Sequence, residues 1–148
     1  MGGPKHKQPA FKEIVRDLKK QPVATENADA WRDTSIAWRF GKCDVEGCTW
    51  SWSAVPSDEL AQILTRLKEL ESRTWKEILL DKTNGSIEAS HENIAAEAKA
   101  RIADRYGDVD TLWKLRVDGP GRIWGARIGH VFHIMWWDSR HTVYPMPR

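Results

Sequence analysis

Three alternating segments near the C-terminus constrain the fold more than any other feature of the chain. They read TLWKLRVD at 111–118, RIWGARIG at 122–129 and VFHIMWWD at 131–138. An alternation of apolar and polar residues with a period of two is typical of β-strands, and the glycine and proline between the segments favour tight turns. The sequence therefore predicts an antiparallel C-terminal β-sheet, with a last short strand at 142–145, TVYP. Gly125, in the middle of the second segment, indicates a close backbone approach or a bulge, or a tryptophan ring packed over the strand.

Upstream of these strands, helical spacing replaces the alternation. The clearest helix is predicted to start at Ser57, which is placed to cap it. Its apolar stripe, which we expect to be buried, consists of Leu60, Ile63, Leu64, Leu67 and Leu70. Thr74 and Glu77 form the T-x-x-E pattern of a capping box and predict a second, short helix. A third helix is predicted from about Ser90, with His91 on its inward face.

Residues 35–55 alternate in the manner of a half-buried β-hairpin. Trp38 and Phe40 lie on the first predicted arm, Trp50 and Trp52 lie on the second, and DVEG supplies the turn. The chain therefore combines a hairpin, three helices and a C-terminal meander.

These elements predict an α+β fold, in which helices pack on one face of an antiparallel C-terminal β-sheet. An N-terminal β-hairpin and a basic N-terminal helix precede this sheet. Residues 35–148 are long enough to bury a core and are predicted to form a single α+β domain. Residues 1–34 are predicted to form a basic N-terminal arm, which consists of a short amphipathic helix and a polar linker.

The arm carries the positive charge of the chain. Residues 1–22 contain six basic and two acidic side chains, whereas the remainder contains 17 basic and 19 acidic ones. The basic residues opposite the apolar stripe of the arm, which we expect to contact RNA or a partner, are Lys12, Arg16, Lys19 and Lys20. The alternative is that this helix packs on its own domain. The rest of the chain has no overall positive field that would by itself favour nucleic-acid binding.

Nine tryptophans are too many to expose, because each ring buries a large apolar area. We therefore expect most of them in the core. No apolar run approaches the roughly 20 residues that span a bilayer, and the N-terminus lacks the apolar segment of a signal peptide. The sequence thus predicts a cytoplasmic protein with no membrane partner.

Arginines on the predicted strands are the first candidates for a functional site. Arg116, Arg122 and Arg127 lie on adjacent strands joined by tight turns, so their guanidinium groups could converge. Guanidinium groups suit phosphate and carboxylate, and they also stack on aromatic rings. The alternatives are a solvated sheet face or ion pairs with Asp118 and Asp138.

The segment WWDSRH adds further candidates. Asp138 and His141 are three residues apart around a turn, so Asp138 could orient the imidazole and leave its other nitrogen free as a base. Alternatively, Asp138 caps the amides of its own turn. Tyr144 follows closely enough to join the same patch, and Trp137 is a candidate for contacts with RNA or a partner.

Cofactor motifs are missing from the sequence. There is no P-loop, no G-x-G-x-x-G and no Ser/His/Asp set, and DGPGR lacks the following helix of a phosphate cradle. Cys43 and Cys48 have no second pair, so reduced thiols, a local disulfide and a metal site stay open, although structural zinc needs four ligands. We expect neither a cofactor nor a metal ion.

Helices followed by LWKLRVDGPGRIWGARIGHVFHIMWWD, and preceded by a strand, resemble the order of elements in the RelE/ParE superfamily of small bacterial toxins. The resemblance covers roughly residues 36–145, and the ending also resembles uncharacterised small bacterial and phage proteins. It implies metal-independent cleavage of messenger RNA, with RNA or the ribosome and a cognate antitoxin or other protein as partners. The catalytic residues it implies are the strand arginines Arg116 and Arg122 with His141 or Tyr144 as acid or base, and we add Asp138 as the residue that orients His141.

Three functions therefore compete. The first is a toxin-like, metal-independent ribonuclease that uses the strand arginines and the C-terminal acid and base. The second is a non-catalytic protein-interaction module, an inhibitor, antitoxin partner or scaffold, which uses a tryptophan-rich sheet and the basic helix. The third is a single-strand nucleic-acid binder that stacks bases on exposed tryptophans.

Overall fold

The computed structural model of the chain describes residues 28–145. Its helices are α1 (Ser57–Glu71), α2 (Trp75–Leu79) and α3 (Ala96–Arg105). Its strands are β1 (Ala37–Arg39), β2 (Gly85–Glu88), β3 (Thr111–Arg116), β4 (Arg122–Ile128) and β5 (Val131–Asp138). Short 3-10 helices occupy Ala30–Asp33 and Trp52–Ala54. The predicted basic N-terminal helix lies outside the described residues. Among those that are described, no helix has the length and apolar character needed to span a membrane.

The five strands form one sheet in the order β1-β5-β4-β3-β2. Strands β3, β4 and β5 pair antiparallel, as the alternation of residues 111–138 predicts, and β2, which the sequence did not predict, pairs antiparallel with β3. Strand β1 instead pairs parallel with β5, so the sheet is mixed and not wholly antiparallel. The fold class α+β is confirmed at this coarser level.

The predicted hairpin over residues 35–55 is wrong. Only its first arm is a strand, and it pairs with β5. Beyond β1 the chain continues as a loop beside β5, in which the backbone N–H of Asp44 donates to the carbonyl of Met135 and the N–H of Trp52 donates to the carbonyl of Asp44. Trp52 begins a 3-10 helix where the second arm was expected. Alternation alone could not distinguish a hairpin arm from a loop that inserts alternate aromatic side chains into the core.

Helices cover both faces of the sheet, which corrects the prediction of one covered face. One core cluster joins α3 to the face that carries Leu112, Trp124 and Trp136, which we call the α3 face. The other joins α1 and α2 to Ile123 and Phe132 on the opposite face, the α1–α2 face. The physical reason is that the strands carry apolar residues on both sides, and each side excludes water only when a layer packs on it.

The register of β4 and β5 shifts between Trp124 and Gly125. Gly125 is required there, because a Cβ would lie 2.2 Å from the carbonyl oxygen of His133 and 2.6 Å from the Phe132 ring. The sequence predicted such a close approach at this glycine. Trp136 lies beyond this shift, so its ring packs on the α3 face. Ile134, two residues earlier, packs on the α1–α2 face.

The helices differ from their predicted bounds in informative ways. The capping box is confirmed in part, because the Thr74 hydroxyl accepts from the backbone N–H of Glu77 at the start of α2. Pro56, not Ser57, is the N-cap residue of α1. Helix α3 begins at Ala96, six residues later than predicted, because the preceding residues form turns.

The end of the described chain also departs from prediction. No strand forms at 142–145. The segment instead packs over the start of α3, where the carbonyl of Val143 accepts from the N–H of Ala95. The buried side chain of Val143 joins the core of the α3 face.

All nine tryptophans lie within the described residues, and none of them is exposed. Trp31, in the segment predicted as a polar linker, packs edge-on against Trp75 and Trp113 with ring centroids 5.7 and 5.8 Å apart. The tryptophans therefore build the core, as their number predicts.

Candidate functional site

The three strand arginines do not converge. Arg116 and Arg122 are Cα partners across β3 and β4 and share the α3 face. Arg127 lies on the opposite face, where its guanidinium carbon stacks 3.6 Å above the Trp31 ring and 4.8 Å from that of Trp113. Arg127 follows Arg122 by five positions, an odd offset, so strand alternation places them on opposite sides.

Lys114 joins Arg116 and Arg122 on the α3 face, because it lies two residues before Arg116 and opposite Trp124. We call Lys114, Arg116 and Arg122 the cationic cluster. Arg116 Nε and Arg122 Nη1 both donate to the same carbonyl oxygen of Asp118, each at 3.1 Å. Arg122 Nη1 also bonds to two more carbonyls of the β3–β4 turn. The two guanidinium groups are thus held side by side at the end of the sheet.

The cationic cluster has no direct ion pair in the described part of the chain. Within residues 28–145, none of its three side chains forms an ion pair with a carboxylate. Burial lowers the pKa of Arg122, and the charge of Arg116 lowers it further, whereas the carboxylates of Asp118, Asp138 and Asp81 act in the opposite direction. Burial also lowers the pKa of Lys114, with a contribution from Arg122. Like charges held together in a partly buried site are the arrangement in which an anion binds favourably.

Asp138 caps its own turn and does not orient His141. Its buried carboxylate accepts from Trp124 Nε1, from the N–H and hydroxyl of Thr142 and from the N–H of Val143. These bonds use both carboxylate oxygens. Asp138 therefore has the alternative role that the sequence left open, which is to cap the amides of its own turn.

His141 and Tyr144 lie in the loop that follows β5. His141 has a φ of 61°, a left-handed conformation that few side chains other than glycine adopt, and its buried Nδ1 has no partner among the described residues. Tyr144 contacts the ring of His91 edge-on, with centroids 5.2 Å apart. Neither residue forms a hydrogen bond or ion pair with the cationic cluster in the part of the chain that the structure describes.

The remaining candidates are dispersed. Trp137 is buried on the α1–α2 face, and its Nε1 has no partner within residues 28–145. Lys12, Arg16, Lys19 and Lys20 lie outside the described residues. In the described part of the chain, no three His, Cys, Asp or Glu side chains are grouped as a metal site requires.

A buried ionic centre, which the sequence did not reveal, lies elsewhere on the α3 face. The fully buried carboxylate of Asp44 accepts from Arg101 Nε at 2.6 Å and Nη2 at 2.7 Å. Trp136 Nε1 and Cys48 Sγ donate to the same carboxylate. The bond with Arg101 holds the pKa of Asp44 far below its ordinary value, despite the opposing effect of burial. Asp44 and Arg101 are 57 residues apart, and neither belongs to a recognisable motif.

Both cysteines are free thiols in the structure. Burial raises the pKa of Cys43 to about 11 and also raises that of Cys48, with the nearby Asp44 carboxylate acting in the same direction. Protonated, partly buried thiols of this kind are poor nucleophiles.

An apolar groove runs along α1. Its walls include four large exposed side chains, Phe40 (61%), Val45 (59%), Leu64 (50%) and Leu60 (40%), and its volume is about 290 Å³. Leu60 and Leu64 were predicted to be buried with the stripe of α1. They are exposed, whereas Ile63, Leu67 and Leu70 are buried. We call the surface formed by Phe40, Cys43, Val45, Trp52, Leu60 and Leu64 the α1 groove.

The fold and these features of residues 28–145 define a small α+β protein with a two-sided mixed sheet, a cationic cluster without direct ion pairs at the sheet end and an apolar groove on a helix. We found no match for the chain among protein-family models, curated proteins or solved structures. The resemblance to the RelE/ParE toxins therefore stays a prediction.

Proposed function

We propose that the protein is a binding module that holds an amphipathic helix of another protein in the α1 groove. The observation that carries the proposal is that four of the six large exposed apolar side chains in the described residues line this one groove. Contiguous exposed apolar surface on a small protein is a mark of an interaction site. The other two, Leu80 and Ile128, lie outside it.

The groove favours a helix as its occupant. Leu60 and Leu64 are one helical turn apart on α1, and they form a ridge beside a channel that reaches buried Ile63 and Leu67. Amphipathic helices bind such channels through anchors at i and i+4. A volume of about 290 Å³ is comparable to two or three apolar side chains.

Charge favours a basic partner over a second copy of this chain. Helix α1 carries four carboxylates and two cations, which are Asp58, Glu59, Glu69, Glu71, Arg66 and Lys68. Glu69 is paired with Arg66 and Arg73, so the carboxylates without an ion pair in the described residues are those of Asp58, Glu59 and Glu71. A second copy docked through the same helix would bring its own carboxylates against these, whereas a helix with Lys or Arg beside its apolar anchors would be attracted. An antitoxin with such a helix is one partner that fits this description.

The ribonuclease hypothesis has weaker support from the geometry. Asp138 is saturated by neutral donors, and His141 and Tyr144 do not bond to the arginine pair. A general acid and base that work on one phosphate need to reach it together. The stacking hypothesis loses its basis, since no tryptophan is exposed.

The test is to select helical peptides from a display library on the full-length chain. We expect enriched peptides to carry two apolar anchors one turn apart with Lys or Arg beside them. Leu64→Glu should weaken their binding at least about tenfold, because a charge in the channel must be desolvated. Leu80→Glu is the matched control, since Leu80 is exposed outside the groove, and it should bind as the wild type does.

Two results would overturn the proposal. One is enrichment of peptides that bind the wild type and Leu64→Glu equally. The other is a dimer of the free protein that Leu64→Glu converts to a monomer, because the groove would then hold a second copy.

A further inference from the structure

The cationic cluster has hydrogen-bond donors that the fold does not use. Lys114 Nζ has no hydrogen-bond partner among the described residues, and Arg116 uses only its Nε. Arg122 is 7% exposed, and its buried Nε also has no partner within residues 28–145. An unpaired buried donor costs free energy, so a buried cation in this state is unusual for a purely structural residue.

The carboxylates nearest the cluster, those of Asp118, Asp138 and Asp81, attract its charge but accept no hydrogen bond from these donors, and Asp81 accepts from Thr83 instead. Asp138 is the Cα partner of Arg122 across β4 and β5, but its oxygens are taken by Trp124, Thr142 and Val143. The Asp118 carboxylate accepts from the N–H of Gly121 and holds the β3–β4 turn closed. The turn thus fixes two guanidinium groups beside each other and leaves their outer N–H groups for a ligand.

We propose that the cationic cluster binds a single phosphate group carried by a small molecule. Two guanidinium groups and an ammonium group supply the planar, charge-assisted donors that phosphate oxygens accept best. This site is separate from the α1 groove and extends the function beyond protein binding, because the cluster lies on the α3 face and the groove on the α1 side of the sheet.

A phosphate on a small molecule fits better than the backbone of a nucleic-acid strand. A strand needs a continuous basic surface that follows successive phosphates. Residues 23–148 contain 17 basic and 19 acidic side chains, so the cluster is a local exception in a slightly acidic body. Three cationic side chains with free donors at one point match a single phosphate group.

Calorimetric titration of the full-length chain tests this proposal, with inorganic phosphate and pyrophosphate as probes. We expect saturable binding of one equivalent, and the side-chain Nε–H resonance of Arg122 should shift as the site fills. Arg116→Gln and Lys114→Gln should each weaken binding at least about tenfold, since each removes a charged donor. Lys68→Gln, which removes an exposed lysine of α1, is the matched control and should bind as the wild type does.

Three outcomes would overturn it. The first is that neither probe binds with saturation. The second is that Arg116→Gln and Lys114→Gln bind the probes as tightly as the wild type. The third is that a single-stranded oligoribonucleotide binds far more tightly than pyrophosphate, with steep salt dependence, which would assign the cluster to a strand. None of these results depends on the α1 groove, so each proposal can fail without the other.

Discussion

Two charged regions on the α3 face differ in whether their buried charges form ion pairs. At the Asp44 centre, a buried carboxylate meets a guanidinium through two short hydrogen bonds, and two further side chains complete its bonding. At the cationic cluster, two guanidinium groups share one carbonyl oxygen, and no carboxylate of the described residues pairs with them.

This difference indicates that one region stabilises the fold and that the other binds a ligand. A buried charge that is paired and fully hydrogen-bonded ties loop to helix, and breaking it leaves an uncompensated charge. In the cationic cluster, Arg116 and Arg122 repel each other, the nearby carboxylates offset this repulsion without a direct ion pair, and a bound anion relieves it further. We therefore assign the Asp44 centre to stability and the cationic cluster to binding, and the two regions should respond differently to mutation, pH and salt.

The largest expected effect is at the Asp44 centre. Arg101→Met should lower the free energy of unfolding by about 3 kcal/mol, because it strands the Asp44 carboxylate inside the protein. Denaturant unfolding measures the loss. Arg105→Met is the control one turn further along α3, and it should change little because its partner Glu46 is exposed. Equal losses in the two variants would contradict the structural role of the Asp44 centre.

Asp138 is a buried carboxylate that accepts only from neutral donors. The loss of unfolding free energy on its replacement should lie between the losses at the Asp44 centre and at the cationic cluster. Asp138→Asn removes an acceptor and leaves at least one buried N–H unsatisfied, so we expect a loss of about 2 kcal/mol in unfolding free energy. Asp108→Asn, at an exposed site, serves as the control. An unchanged midpoint for Asp138→Asn would mean that the turn does not depend on this carboxylate.

The Asp44 centre should contribute to the loss of unfolding free energy at acid pH. Since the pKa of Asp44 is lowered by Arg101, its stabilisation is present above the ordinary value of 3.8 and is lost as the pH falls towards the lowered pKa. This one group can contribute a slope of at most about 1.4 kcal/mol per pH unit. Carbon NMR of the Asp44 carboxyl should show a midpoint below 3.8. A midpoint above that value would remove Arg101 as the dominant influence.

The smallest effect, and the one with opposite sign, is expected at the cationic cluster. Arg116→Gln removes one of two adjacent like charges, so its unfolding free energy should lie within about 0.5 kcal/mol of the wild type or slightly above it at low salt. The difference should shrink as salt screens the repulsion. Unfolding at low and high ionic strength measures both. A loss comparable to that of Arg101→Met would mean that Arg116 is neutralised after all.

Local patterns predicted the parts of the fold that depend on neighbours in sequence. Alternation identified β3, β4 and β5, and the pair Thr74 and Glu77 identified the start of α2. Gly125 correctly indicated a close backbone approach. These succeed because strand pleat, helix capping and glycine geometry are properties of a few consecutive residues.

The site was less accessible to such reasoning. Alternation placed Arg116 and Arg122 on adjacent strands, and they are neighbours in the structure. Lys114 was overlooked, although the same alternation puts it on the face of Arg116. Leu60 and Leu64 were assigned to the core, because helical spacing reports which residues share a stripe and not whether another element covers that stripe.

By itself, the sequence determined the α+β composition, the C-terminal meander and a core rich in tryptophan, because periodicity and side-chain size act locally. Only the tertiary structure decided that β1 pairs parallel with β5, that helices cover both faces of the sheet and that Asp44 meets Arg101. These contacts join residues far apart in the chain, and their free energy depends on what surrounds each group after packing. For the same reason, only the fold shows which charges are neutralised and which remain to bind a ligand.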